Sequence, residues 1–296
     1  MAAADITVGG LLGGSIRLVL RHWVILLVGM FVLAEVCLLN LSLLGRCFGA
    51  YASGCPSFIT TLGAPAEWLI SSVTHETAGV IVTSVAIYFL YSGKRIDVPG
   101  AAVLRNSRTQ ALRLLARLAL VAIVILVPLH LFDTVISEAV TAFPEFEGSE
   151  AMGWLIYVLR TIAIVAFSGY VRARLVLYVP AGAYASEPET WRESWKRTRA
   201  DATRLFIFFF LFGFVSSIAQ IGVMMLAYQV PGYFAAVDVL SEFLDVRSSY
   251  ILQNLAQAIA FVVVGVPGTL IEAAASLVAF KALMPAEEQA TADIFS

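Results

Sequence analysis

Apolar residues in this chain run in long blocks, and the blocks come in pairs. Six stretches are almost continuously apolar, at about 22–45, 66–92, 111–134, 152–180, 204–229 and 251–282. A helix needs about 20 such residues to cross about 30 Å of hydrocarbon. The blocks are too long for strands and do not alternate with period two, so they predict helices. Before each pair stands a shorter stretch that keeps helical spacing but carries a polar or basic face. These stretches open near Gly9, Pro99 and Pro188, about 90 residues apart. The pattern predicts three copies of one unit, a cytoplasmic amphipathic helix followed by two membrane helices. The copies cover about 5–93, 95–184 and 185–283, with a short acidic tail at 284–296. Two spans return the chain to its starting side, so the copies are expected to be parallel, around a pseudo-threefold axis along the membrane normal. Such a bundle has either an axial path or a packed centre.

The three surface stretches differ in quality. The first contains Gly9, Gly10, Gly13 and Gly14, and each glycine weakens a helix by about 1 kcal/mol. Its Leu11, Leu12, Ile16 and Val19 still keep helical spacing. The second opens with Asp97-Val98-Pro99-Gly100 and sets Arg105, Arg108 and Arg113 opposite Val103, Leu104 and Leu112. In the third, Ser186-Glu187-Pro188-Glu189 fits a capping box, with Ser186 as N-cap and Glu189 three residues on. Trp191 and Trp195 then share one face, and Arg192, Lys196 and Arg199 another. Glu193 precedes Arg197 by four, a favourable ion-pair order. A basic helix with tryptophan on its other side suits a membrane surface, where tryptophan sits at the headgroup level and arginine reaches the phosphates. The plain expectation is that these helices cap and anchor the bundle. The sharper one is a lipid-headgroup or anion site at Arg192, Lys196, Arg199, Arg105 and Arg108.

Composition agrees with a membrane protein. The chain is 60% hydrophobic and 14% charged, with a mean hydropathy of +0.87, where soluble domains are about 45–50% apolar and 25% charged. One integral membrane domain over 1–296 is expected, with no separate soluble domain. Of the 19 Lys and Arg, only Arg46, Arg160 and Arg247 fall on one side of the six blocks. The positive-inside rule therefore places both termini in the cytoplasm. The opposite side is acidic, with Glu138, Glu145, Glu147 and Glu150 in one segment and Asp238, Glu242 and Asp245 in another. The N-terminus lacks the basic start of a cleaved signal, and the first block is too long for one and carries Glu35, so it is expected to be a retained anchor.

Candidate chemistry lies within the blocks. Ionisable residues at membrane depth usually face the bundle interior. Glu35 and Arg160 lie at similar outer-half depths and are a candidate pair. Glu272 and Arg172 are a second pair, nearer the cytoplasm. Both pairs are expected to register helices, the alternative being an ion or substrate pathway. Gly265-Val266-Pro267-Gly268 interrupts the last block, as Pro128 and Gly169 interrupt two others, and proline kinks a helix by removing a donor. Cys37 lies inside a span, while Cys47 and Cys55 share the first outer loop and form a disulfide if that side is oxidising. His75-Glu76 with His130 and Asp133 lacks the tight spacing of a metal site, so no metal or cofactor is expected. The glycines at 9–14 are not followed by Lys-Ser/Thr and form no phosphate loop. The basic stretches lack the aromatic platforms of nucleic-acid readers.

Around the third surface stretch the chain resembles a known family. Gly169-Tyr170-Val171-Arg172 is followed by Leu175, Tyr178 and Val179, then by Glu187-Pro188, Trp191, Ser194-Trp195, Thr198-Arg199 and Leu205-Phe206. This looks like the glycerophosphoryl diester phosphodiesterase membrane-domain-like group and related six-span bacterial proteins. Ile6-Thr7-Val8-Gly9, Ser15-Ile16-Arg17 and Arg21-His22-Trp23 resemble its opening, and the Pro267 region resembles its last span. Ser168 stands where the pattern has Pro, and Ala200-Asp201 where it has Gly. The resemblance implies a six-helix inner-membrane module without the soluble phosphodiesterase and its catalytic His and carboxylates. The expectation is therefore a non-enzymatic module for transport, lipid interaction or membrane homeostasis, with membrane lipids as partners. The alternative is a structural or accessory subunit that binds another membrane protein or a second copy of itself.

Overall fold

A computed structural model of the chain describes residues 6–24, 26–32, 34, 35, 112, 116–125, 127–129, 131, 132, 135, 150–180, 190–244 and 248–283. Its elements are α1 (Val8–Arg21), α2 (Ala116–Leu129), α3 (Glu150–Arg174), α4 (Trp191–Arg197), α5 (Ala202–Gln229), α6 (Pro231–Leu244), α7 (Ser248–Ala260) and α8 (Val266–Leu283). Among the described residues there is no strand. Two helices are long and apolar enough to cross a membrane: α5, and the continuous stretch Asn254–Leu283 through α8. They coincide with the apolar blocks at 204–229 and 251–282. The block at 152–180 is one helix to Arg174, turns over Leu175–Leu177 and is helical again at 178–180. The second block, Arg105, Arg108, Cys37, Cys47, Cys55, His75, Glu76, His130, Asp133, Ser186, Glu189 and the tail lie outside the described residues.

The chain divides into two compact units, Met1–Arg21 with Tyr88–Val215 and Ile271–Ser296, and His22–Ile87 with Ser216–Leu270. Both are discontinuous in sequence, and the boundary falls inside α5 and α8.

In the first unit, small residues set how closely helices approach. A Cβ on Gly169 of α3 would come within 3.1 Å of the Phe210 backbone nitrogen in α5, and one on Gly213 within 3.2 Å of Val165. Backbone thus lies against backbone, as expected where van der Waals packing must hold helices together. α1 meets α8 in the same way, since a Cβ on Gly14 would lie 3.2 Å from Val278. Leu11, Ser15 and Val19 form the buried stripe of α1, while Leu12 and Ile16 stay exposed. The core here joins Leu11, Ala173, Leu177, Leu205, Phe208 and Ala279. Along α5, Phe206–Phe210 and Phe208–Phe212 stack at 5.6 and 5.9 Å, the i, i+4 contact of a helix.

In the second unit the acidic segment after α5, expected as a loop, is the helix α6. Pro231 occupies its first position, where the missing N–H costs nothing. Tyr233, Val237 and Leu244 are buried with Ile251 and Ala256 of α7. The Tyr233 hydroxyl donates to the Leu252 carbonyl, and Ser248 Oγ donates to Ser241 Oγ at 3.1 Å. Between α7 and α8 the break expected at Pro267 is a π turn over Phe261–Gly265, closed by the Val266 N–H on the Phe261 carbonyl. Proline has no N–H to give the preceding turn, and the wider turn absorbs that loss. Gly265 is required there, because a Cβ would lie 2.6 Å from the Phe261 ring.

Candidate functional site

The site begins with the seven residues of α4. Thr190 is its N-cap: the Thr190 hydroxyl accepts from the Glu193 N–H, and Glu193 Oε2 accepts from the Thr190 N–H at 2.6 Å and from its hydroxyl at 2.9 Å. This is a complete capping box, four residues after the one expected at Ser186 and Glu189. The same Ser/Thr-x-x-Glu spacing occurs twice in succession, and the helix starts after the second. The Glu193 carboxylate reaches back to the cap, and those bonds hold it below the usual carboxylate value, with smaller contributions from Arg197 and Lys196.

One edge of α4 is fixed to the end of α3. Ser194 and Thr198 are fully buried. Ser194 Oγ donates to the Arg174 carbonyl at 3.0 Å, and Thr198 Oγ1 donates to the Ser194 carbonyl at 2.8 Å. The last carbonyls of a helix have no partner of their own, and the α4 hydroxyl supplies one for α3. Trp195 lies between them in sequence. The Arg174 guanidinium sits 4.4 Å from its ring centre, and the Tyr170 ring meets it edge-on at 5.7 Å. The residues Ser194-Trp195-x-x-Thr198 thus grip α3 through backbone, cation and ring.

A second buried arginine lies on the same packed cluster. Ile125 of α2 packs with Val171 and Leu175, and Tyr178 and Trp195 pack against that cluster. Arg117, at the start of α2, donates to the Tyr178 carbonyl and lies 4.5 Å from the centre of its ring. Arg117 and Arg174 are 8% and 7% exposed. Burying a cation is costly unless it is compensated, and each has an aromatic face. Among the described residues, Arg174 Nε has no hydrogen-bond partner.

The other expected residues fall as follows. Arg172 pairs with Glu272 of α8 within the first unit, and Ser276 Oγ donates to the Glu272 carbonyl at 3.0 Å. Glu35 is exposed in the second unit, whereas Arg160 belongs to the first and is partly buried. Arg192, Lys196 and Arg199 are exposed, the first two on α4 and Arg199 in the turn that follows it. Arg192 lies 5.5 Å from the exposed Trp191 ring. Arg204, at the start of α5, donates to the Ile6 carbonyl at 3.4 Å and faces Asp201 at 3.5 Å.

Sequence reasoning missed Arg117, Arg174 and the anchoring role of Ser194 and Thr198. One signal was available. Arg172 and Arg174 are two apart, about 200° around a helix, so they must have different neighbours. Ser194 and Thr198, four apart in a helix of large side chains, also mark an edge small enough to meet backbone. Among the described residues, no group of three His, Cys, Asp or Glu could hold a metal ion. No protein-family model, curated protein or solved structure matches the chain.

Proposed function

We propose that this chain is a non-enzymatic module of the bacterial inner membrane that engages anionic lipid through its basic surface helices. In this reading it has six spans in three parallel repeats, both termini in the cytoplasm, and kinship with the glycerophosphoryl diester phosphodiesterase membrane-domain-like group. One observation carries the reading. Arg192 and Lys196 on α4 and Arg199 in the turn after it are exposed, while Ser194 of the helix and Thr198 at its C-cap are fully buried on the end of α3. Only the turn from Thr198 to Asp201, which carries Arg199, lies between α4 and the membrane-length α5. Each such cation near an anionic leaflet contributes about 1 kcal/mol of attraction.

The test is the lipid preference of the full chain in mixed bilayers, read by electron paramagnetic resonance from spin-labelled phosphatidylglycerol against phosphatidylcholine. The Arg192→Ala/Lys196→Ala/Arg199→Ala protein should lose most of the preference at low salt. An unchanged preference overturns the proposal. The rival accessory-subunit reading is favoured by the large apolar side chains exposed on α5, among them Leu211, Val215 and Leu226. A stoichiometric membrane-protein partner on purification in mild detergent would decide for it.

A further inference from the structure

The first unit has an apolar cleft of about 320 Å³ lined by Pro128, Leu129, Phe132, Ala163 and Phe167. That volume lies at the lower end of the range for small-molecule pockets. Its walls come from α2 with the helical residues just after it, and from α3. Leu129 belongs to two environments, since it lines the cleft and packs on the Ile125, Val171 and Leu175 cluster. Tyr178 and Trp195, which carry the guanidinium groups of Arg117 and Arg174, pack on that same cluster. An apolar cleft and two buried cations therefore share one packed core.

The spacing between them has a meaning. α2 and α3 run antiparallel here: Arg117 meets Tyr178, Ile125 meets Val171, and Pro128 to Phe132 share the cleft with Ala163 and Phe167. Along α3, Arg174 stands seven residues from Phe167 and eleven from Ala163, about 10 and 17 Å at helical rise. Half a bilayer is about 15 Å of hydrocarbon beneath a headgroup layer of about 6 Å. The cleft thus lies where a leaflet has acyl chain, when Arg174 lies where it has phosphate.

We propose that α2, α3 and α4 together form a seat for one anionic phospholipid, its phosphate held by Arg174 beside Trp195 and one acyl chain lying in the Leu129–Phe167 cleft. Two observations select this occupant over a wholly apolar one. Arg174 is 7% exposed, and among the described residues its Nε donor has no hydrogen-bond partner. A phosphodiester oxygen is the acceptor a guanidinium binds most strongly, by charge-assisted hydrogen bonds. The cleft itself offers apolar contact alone, which suits a chain and not a headgroup. The seat deepens the lipid reading of α4 and rests on α4 lying at the membrane surface. It differs in kind, because one molecule is held and not an annular preference.

The test is native mass spectrometry of the full chain, delipidated in mild detergent and then offered phosphatidylglycerol. The wild-type protein should retain one phospholipid per chain. Ala163→Phe, which fills the cleft and leaves every arginine in place, should lower that fraction at least tenfold, and Arg174→Gln should do the same. If Arg174→Gln does not fold, Ala163→Phe decides alone. The Arg192→Ala/Lys196→Ala/Arg199→Ala protein should keep the retained lipid, so failure of the seat and failure of the surface reading are distinguishable. Absence of a retained phospholipid on the wild type, inorganic phosphate or detergent in its place, or equal retention by Ala163→Phe overturns the proposal.

Discussion

α1 and α4 both start after a capping threonine, yet the residue three positions past the cap is Gly10 in one and Glu193 in the other. Thr7 Oγ1 accepts from the Gly10 N–H at 3.0 Å and receives nothing back, whereas Thr190 and Glu193 cap each other. α1 has 14 residues and four glycines, and it lies against α8 where Gly14 leaves room for Val278. α4 has seven residues and no glycine, and it is tied down by hydroxyls and a tryptophan. Length and close packing hold one helix. Side-chain chemistry holds the other, because a seven-residue helix is too short to be stable alone. The contrast explains why the basic residues that remain exposed on α4 are presented from a fixed position.

The contrast can be broken in order of size. Trp195→Ala removes the ring under Arg174 and the edge contact with Tyr170. It should cost about 2–3 kcal/mol, below the figure for a fully buried tryptophan. Thermal unfolding in detergent measures the loss, and hydrogen exchange should show α4 opening first. Gly14→Val drives a branched side chain into Val278 and should cost about 1–2 kcal/mol by overpacking, with exchange rising in α1 and not in α4. Gly13→Ala should do the opposite. Gly13 is exposed and nothing lies within 4 Å of the position its Cβ would take, so the protein should gain up to about 1 kcal/mol. If Gly13→Ala destabilises, α1 does not persist as a helix.

The smallest effect is a pH dependence confined to α4. The folded Glu193 carboxyl lies below its ordinary value of 4.5 because Thr190 donates to it. Its contribution is therefore complete above the unfolded value and is lost as pH falls through the lowered folded one. Exchange of the α4 amides, normalised to the intrinsic rate at each pH, should rise on acidification below about pH 4.5. Glu193→Gln should flatten that rise, while α1, with Gly10 at the matching position, should not respond in either protein.

Much of this contrast could be read from the residues, and some of it could not. The apolar blocks gave α5 and the stretch ending in α8 almost to the residue, because long uninterrupted runs fit one structure in lipid. The Arg172–Glu272 pair, which the structure forms, was legible because counting along the two apolar blocks sets both charges at a comparable level. The cap of α4 was placed four residues early because two consecutive Ser/Thr-x-x-Glu patterns carry the same local signal. The grip of Ser194 and Trp195 on Arg174 was hidden for a different reason: it joins residues 20 or more apart, and helical spacing reports only neighbours within a turn. The π turn at Phe261–Gly265 was visible only as an interruption, since a proline can be absorbed by a kink or by a wider turn.

Gly169 has a mechanical consequence. The crossing of α3 and α5, where its missing side chain admits the Phe210 backbone, acts as a fulcrum placed off-centre. By helical rise the Arg174 end of α3 lies about 8 Å from it and the Glu150 end about 28 Å. A rocking of about 10° would carry the near end about 1.3 Å and the far end about 5 Å, at the same rise per residue. The lever is short where Arg174 and α4 meet and long at the Glu150 end, so any such rotation would move the far end several times as far as the arginine end.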